Sequence, residues 1–566
     1  MGNAKFQISA PRCRFLVSII RWWEKVFKRR EMMLKIISVF VFLTVLGGVE
    51  VNGSKILAVF PSTSKTNYIL GQVLFEQLAS RGHEITVISP FEIEYDSASI
   101  RQIKLTGMFA HLEDYGMNTN IFTKWDKSSF YGNNNLIYGT AAMAENTLGH
   151  PKVQELLKSD ASFDLLLLDQ VLCDSLLGLA NHYNVPAVVF SSTSTNKFTN
   201  EMVANPHNPA YNPVSSLGYS DRMSFDQRLW NTLVSISEQF NYKYLYLPSQ
   251  EAVYRRHFAG KNLPPLLDVI HNVSAVLVNS NPMINYPRPV VPTMVEVGGM
   301  HLRKFDKTGL SEDVVNWVEA AKGGVIYFSM GGNAKSIDLP ANVRKAFTGA
   351  FGQLSGTLII WKWENATLEN QSSNVIIGPW MPQQELLAHP NVRLHITHGG
   401  LLGMMESVHY GKPILGLPLA GEQEILVDKA VAGGYGLKLD YQNITQEIVL
   451  ESIKRIMEDT SFRKNALKIS RQFREQSMKP MDKAIYHIEY VLKNDGGVQK
   501  LRSGALSLTF WERHLVDVAL CIVAIALLPI VVIAILIQMI LRKSHQRKMT
   551  PSVSDLRKAA IKKKTK

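Results

Sequence analysis

From Trp380 to Gln423 the chain reads WMPQQELLAHPNVRLHITHGGLLGMMESVHYGKPILGLPLAGEQ, and one junction inside it constrains the fold most. Leu394–Ile396 is a short apolar run with strand character. Thr397-His398-Gly399-Gly400 follows, and Leu401 opens a helix-compatible run. A strand, a tight glycine turn and a helix N-terminus bring unpaired amide N–H groups and the positive end of the helix dipole to one point, where an anion binds. The same stretch supplies the Trp380 ring, the Gln383 and Gln423 amides, the His398 imidazole and the Glu406 and Glu422 carboxylates. Such groups can hold a base, a ribose and a diphosphate together. A histidine in a glycine turn can also be a simple cap, so the pattern matters more than any one residue.

Strands and helices alternate along the rest of the body. Lys55–Phe60 reads as a buried strand, Ile69–Arg81 as a helix and Glu84–Ser89 as a second strand. Phe163–Asp169, Ala187–Phe190 and Val276–Asn279 extend this series, with Leu176–Tyr183 as a helix. A second series runs through Val325–Ser329, Thr357–Trp361, Val375–Ile377, Leu394–Ile396 and Ile414–Leu417. Such alternation predicts parallel sheets. The Pro-rich stretch Pro282–Pro292 reads as the linker between two α/β units. Two doubly wound units would place ligands at the carboxyl ends of both sheets.

The Trp380–Gln423 segment resembles the signature of the UDP-glycosyltransferase family: Trp-x-Pro-Gln, Thr-His-Gly-Gly, a Glu on the next helix, a Pro-rich strand, then an acid followed by Gln. Trp380, Pro382, Gln383, Thr397 to Gly400, Glu406, Pro413, Pro418, Glu422 and Gln423 fill those places. A match of this length in a strand–turn–helix context is specific. The resemblance implies a GT-B fold of two facing Rossmann-like domains, the first (54–295) holding the acceptor and the second (296–485) the UDP-sugar, with segments such as Ser461–Gln476 packing back across the cleft. It also implies roles. Trp380 stacks on uracil, Gln383 meets the base edge, and Glu406 accepts the ribose hydroxyls. His398, Gly399 and Gly400 face the diphosphate, and Glu422 and Gln423 bind the sugar. Tyr327–Asn333, reading YFSMGGN, resembles the glycine loop that reaches the phosphates with Gly331 and Gly332. Ser is more usual at Gly332, so one hydroxyl donor is expected to be missing. Leu401-Leu402-Gly403 looks like the invertebrate branch, which implies UDP-glucose. The reaction implied is direct, inverting displacement at the anomeric carbon. No Asp-x-Asp occurs in the chain and no zinc spacing is present, so neither a metal nor a resident cofactor is expected.

The acceptor side departs from the pattern. Where the family has Phe-Pro-x-x-Ser-x-x-His, this chain reads Phe60-Pro61-Ser62-Thr63-Ser64-Lys65-Thr66-Asn67. Asn67 replaces the general base, while Asp169 matches its partner carboxylate. An amide takes up no proton near neutral pH, and losing a general base costs about 10²–10⁴ in rate. Three outcomes stay open: transfer to acceptors needing little deprotonation, another base in the cleft, or ligand binding without turnover. Phe109, Phe122, Trp125, Phe130 and Tyr131 are candidates for an apolar acceptor pocket or for ordinary core.

Composition sets the topology. The net charge of +13 divides into +6 on residues 1–31, +9 on residues 541–566 and −2 on the rest. The body therefore carries no basic face, and nucleic acid is excluded as a partner. From Met33 an apolar run followed by small residues reads as a signal peptide ending near Gly53, with an uncleaved anchor as the alternative. Val518–Ile537 carries no charge and has the length of a membrane span. Arg542, Lys543, Arg547 and Lys548 follow it, which puts the tail (542–566) in the cytosol and the body in the lumen. The transmembrane helix is expected over 515–541, after a juxtamembrane segment (486–514). Lys563 and Lys564 resemble the dilysine retrieval signal of the endoplasmic reticulum. Four N-glycosylation sequons, at Asn272, Asn365, Asn370 and Asn443, fit a lumenal body. The partners implied are a UDP-sugar, a small lipophilic acceptor and membrane lipid. Self-association into a homo-oligomer is left open.

Overall fold

The computed structural model describes residues 53–565, apart from 94, 96, 109–133, 259, 261–262, 304–308, 333, 420, 495, 497 and 550–552. The signal-peptide reading, the five candidate pocket aromatics and Asn333 lie outside the described residues.

Two parallel sheets organise the body. The first holds β1 (Lys55–Val59), β2 (Glu84–Ser89), β3 (Ile100–Lys104), β4 (Leu165–Asp169), β5 (Ala187–Ser191), β6 (Ala275–Val278) and β7 (Met294–Glu296), in the order β3-β2-β1-β4-β5-β6-β7. The second holds β8 (Val325–Ser329), β9 (Leu358–Lys362), β10 (Val375–Gly378), β11 (Val392–Thr397), β12 (Ile414–Gly416) and β13 (Gly436–Lys438), in the order β10-β9-β8-β11-β12-β13. The chain reverses its direction of travel across the sheet between β1 and β4 in one and between β8 and β11 in the other. Ligands bind off the carboxyl ends of strands at such points. Val59 lies opposite Leu168, and Thr397 opposite Ser329, so at both reversal points the paired strands end side by side. The central strands are buried on both faces, which is why LLLLD and VIYFS read as continuous apolar runs rather than alternating ones.

The strands read from sequence all form. The three not foreseen, β3, β7 and β13, are sheet edges. β3 carries Arg101, Gln102 and Lys104, while β7 and β13 have three residues each. Pro282–Pro292 leads into β7 and so precedes the last strand of the first sheet instead of following it.

Eight helices matter below: α1 (Lys65–Ser80), α2 (Lys197–Val203), α3 (Phe225–Asn241), α4 (Leu401–His409), α5 (Glu422–Ala432), α6 (Pro480–Lys493), α7 (Phe510–Arg513) and α8 (Val516–Met549). The helix spanning Thr460–Arg474 lies on α4, Ser470 Oγ donating to the His409 carbonyl at 2.6 Å, and so packs on its own domain rather than back across the cleft. The returning helix is α6: Ala484, Ile485, Ile488 and Val491 join the core beneath β1 and β2, and Arg81 pairs with Glu489 at 3.0 Å. That clamp ties the two halves together. Within α8, Val516–His545 contains an apolar stretch uncovered by protein, charge-free from Val518 to Ile537 and long enough to cross a membrane, with Pro529 inside it.

Candidate active site

A cleft of about 990 Å³ runs between the carboxyl ends of the two sheets. Asn67 lines it from the first half. Gly331, Gly332, Trp380, Gln383, His398, Gly399, Gly400, Glu406, Glu422 and Gln423 line it from the second. The structure thus gathers every candidate except Asp169.

The turn after β11 shapes the centre. Gly399 adopts φ +83°, open to glycine at little cost, and a side chain there would run into Val427. Gly400 then starts α4 with no side-chain cap, leaving the first amides of a nine-residue helix aimed at the cavity, where Leu401, Leu402 and Gly403 form the wall. The Gly399 N–H is not among those free donors, because it bonds to Thr397 Oγ1 at 3.3 Å.

His398 is wedged between glycines. A Cβ on Gly331 would lie 2.5 Å from the imidazole, and one on Gly400 would lie 2.6 Å from it. Its Nδ1 has no hydrogen-bond partner. Burial, with the Lys362 ammonium adding, pushes His398 down to about 4, so the ring is neutral at pH 7. Lys362 ends β9 and pairs with Glu364 at 2.6 Å.

The expected base-edge and ribose groups meet each other. The Gln383 amide donates to one Glu406 oxygen, and His301 Nε2 lies 3.3 Å from the other. Glu406 is buried on α4, where the Gln383 bond fixes its carboxylate, while His301 Nε2 lies close without a hydrogen bond. Gln423 Oε1 accepts from the Leu419 N–H at 2.9 Å, which aims the rest of its amide. Glu422 accepts from Ser194 of the first half, and burial raises its pKa against the opposing pull of that hydroxyl and of Arg288. Trp380 stays 52% exposed, with the Lys65 ammonium 4.8 Å from its ring centroid. A large flat aromatic left open at the rim of the cleft can act as a stacking platform.

The first turn of α1 carries the acceptor-side substitution. Ser64 caps the helix by accepting from the Asn67 N–H, and the Asn67 amide donates to Ser62 Oγ at 3.4 Å. Asp169, at the end of β4, is 1% exposed and does not line the cleft. Neither of its oxygens has a hydrogen-bond partner, and burial holds its carboxyl well above the usual range. The expected pairing of position 67 with this carboxylate is not made.

Several cleft residues escaped the sequence reading. The hydroxyl of Thr66 falls where a Cβ on Gly332 would stand, so the first domain places an oxygen where Ser was expected on the second. Thr66 carried no signal except its place beside Asn67. Lys362 could have been found as the polar end of an apolar strand. His301 and Ser194 had no detectable pattern around them.

Facing Rossmann-like sheets with a cleft between their carboxyl ends are the architecture of the GT-B fold. Among solved structures, the calicheamicin glycosyltransferase CalG4 superposes with a TM-score of 0.51 at 16% identity, over 78% of this chain and 99% of that one. A Polygonum tinctorium UDP-glucosyltransferase, solved with 3,4-dichloroaniline, gives 0.50 at 15%, over 79% and 99%. The family model "UDP-glucoronosyl and UDP-glucosyl transferase" matches residues 54–550, and the chain belongs to that family. UDP-glycosyltransferase UGT5 of Dactylopius coccus is 31% identical over 501 residues, 87% of this chain and 94% of that protein. Human UDP-glucuronosyltransferase 1A1 is 28% identical over 512 residues, 86% and 91% respectively.

Proposed function

We propose that the enzyme transfers glucose from UDP-glucose to small lipophilic acceptors, inverting the anomeric carbon, with its body in the lumen of the endoplasmic reticulum and α8 crossing the membrane once. The observation carrying this reading is the single cleft that faces Trp380, Gln383, Glu406, His398, Glu422 and Gln423 toward Asn67.

Uracil lies on Trp380 with its edge toward Gln383. The ribose hydroxyls donate to Glu406, which Gln383 holds in place. The diphosphate meets the first turn of α4, His398 and the loop at Gly331 and Gly332. Glu422 and Gln423 take the sugar hydroxyls. The acceptor heteroatom attacks C1 as the bond from C1 to the diphosphate oxygen breaks, and the α4 amides with the His398 N–H carry the charge gathering on UDP. We assign no metal and no resident cofactor.

Asn67 selects the acceptor. An amine presents a lone pair without prior deprotonation and sheds its proton to water after the new bond forms. An acidic phenol arrives largely ionised. Aliphatic alcohols need a base that this cleft does not offer at position 67. A second reading, a membrane-anchored binder of UDP-sugar or lipophile without turnover, is favoured by the buried, unbonded Asp169. Microsomes carrying the full chain, given radiolabelled UDP-glucose and a panel of anilines, phenols and alcohols, separate the two. Glucosides of anilines and acidic phenols support transfer. Tight UDP binding with no product from any acceptor leaves the binder.

A further inference from the structure

Helix α3 is inverted in its polarity. Asn231, Val234 and Glu238 face the protein, and the apolar residues face away. Phe225, Leu229, Trp230, Leu233, Ile236 and Phe240 are each between 49 and 69% exposed. At 3.6 residues per turn they form a stripe opposite the docked face. The docked face is held by polar bonds rather than by an apolar core: Asn231 accepts from the Val214 N–H at 2.8 Å and donates to the carbonyls of Pro209 (2.7 Å) and Asn212 (3.1 Å). An apolar face interrupted only by Asp226 near its start and by Ser237, on a well-anchored helix, marks an interaction surface.

What covers it follows from its neighbours. Arg513 of α7 stands three positions before the first residue of α8, and it lies 3.7 Å from Glu201 of α2. Glu201 also takes Lys197 at 3.0 Å, and the Lys197 ammonium bonds the Gln239 amide of α3. Three polar contacts thus link α3 to the point where α8 leaves the body. Phe510, Trp511 and Leu515, exposed beside that point, are residues suited to a membrane interface. The C-terminal part of the stripe therefore stands beside the mouth of the membrane helix.

We propose that α3 lies in the leaflet that α8 enters, its stripe among the acyl chains and its polar flanks at the headgroups. This rests on the reading of α8 as a membrane span. A helix apolar along one face with polar flanks binds in the plane of a bilayer interface. The consequence reaches the cleft, because Asn231 holds the segment that leads into Ser215 and Ser216 on the cleft wall. The acceptor side then sits directly on the phase in which apolar acceptors concentrate.

The test uses the full chain in phosphatidylcholine nanodiscs, with native cysteines replaced and retained glucose transfer or UDP binding as the check on folding. Single spin labels are placed by Leu229→Cys, Leu233→Cys, Ile236→Cys and Phe240→Cys, with Arg228→Cys and Thr232→Cys on the flank and Val523→Cys on α8. Collision rates with oxygen and with a water-soluble nickel chelate are read at each. The expected result is an oxygen-to-nickel ratio several-fold higher on the stripe than on the flank. A wet stripe overturns the proposal, and so does a stripe shielded from both reagents, which would mean cover by protein. If Val523→Cys is itself wet, the membrane reading of α8 falls. If it is lipid-exposed while the stripe is wet, only the present proposal falls.

Discussion

The two walls of the cleft are built differently. On the second domain the candidate side chains are held in place: Gln383 fixes Glu406, glycines pin His398, and Leu419 aims Gln423. On the first domain Asn67 leans on Ser62 while Asp169 stays buried, off the cleft lining, with no hydrogen-bond partner. One wall is preorganised for a ligand whose shape does not vary. The other has lost the hydrogen bond that would make it a proton-transfer device. Under the proposed function donor binding and acceptor activation are therefore separable, and the largest effects should come from breaking the organised wall.

His398→Ala is the strongest such break. Removing one preorganised donor to developing charge costs about 10²–10³ in kcat. Steady-state kinetics with an aniline acceptor should show that loss with a smaller change in KM for UDP-glucose. An unchanged kcat would remove His398 from the diphosphate site. Asn67→His sharpens the comparison from the other wall. Turnover of weakly acidic phenols should rise by about 10², the lower end of general-base assistance, while aniline turnover stays nearly level. Asn67→His combined with Asp169→Asn should lose most of that gain, because an imidazolium at position 67 would turn toward the unpartnered Asp169 carboxylate at the end of β4. A gain that survives the second substitution would mean that Asp169 has no part in it.

Gly332→Ser tests the contact between the walls. The hydroxyl of Thr66 already occupies that space, and overpacking of this kind costs typically 1–3 kcal/mol. A fall of about tenfold in kcat/KM is expected, with recovery in the Gly332→Ser, Thr66→Gly double variant. Without recovery, the two positions do not share one site.

Much of this was legible in the sequence, for a physical reason. Buried parallel strands are apolar throughout, so β1, β4, β8 and β11 stand out, and the loops at their carboxyl ends carry the chemistry at fixed spacing. Edge strands such as β3 are half solvated and blend into loops. The donor residues were readable because they cluster within one segment. What was not readable is contact between distant segments. Thr66 filling the space beside Gly332, His301 reaching Glu406, and α6 rather than the Thr460–Arg474 helix crossing to the first domain all depend on how the two halves meet. Asp169 was recognisable as a residue, yet its isolation from Asn67 follows from side-chain placement alone.

The smallest effect is the most specific to His398. In the empty cleft burial and Lys362 hold its pKa near 4, well below the ordinary 6.5. A bound diphosphate favours the imidazolium and raises that pKa, so binding takes up a proton. Affinity must then increase as pH falls from about 8 toward the empty-cleft value, by up to about tenfold for each unit by which the bound pKa exceeds the pH. UDP-glucose is the right ligand, because its doubly esterified diphosphate does not titrate in this range, whereas the terminal phosphate of UDP does. Calorimetry between pH 8 and 5 should show UDP-glucose binding several-fold tighter at the acid end, with proton uptake visible as a dependence of heat on buffer ionisation. His398→Gln, which keeps a donor of similar reach and cannot ionise, should bind with a flat profile and no buffer dependence. A wild-type profile as flat as that of His398→Gln would mean that the imidazole does not face the diphosphate. The organised wall would then owe its anion affinity to the first turn of α4 alone.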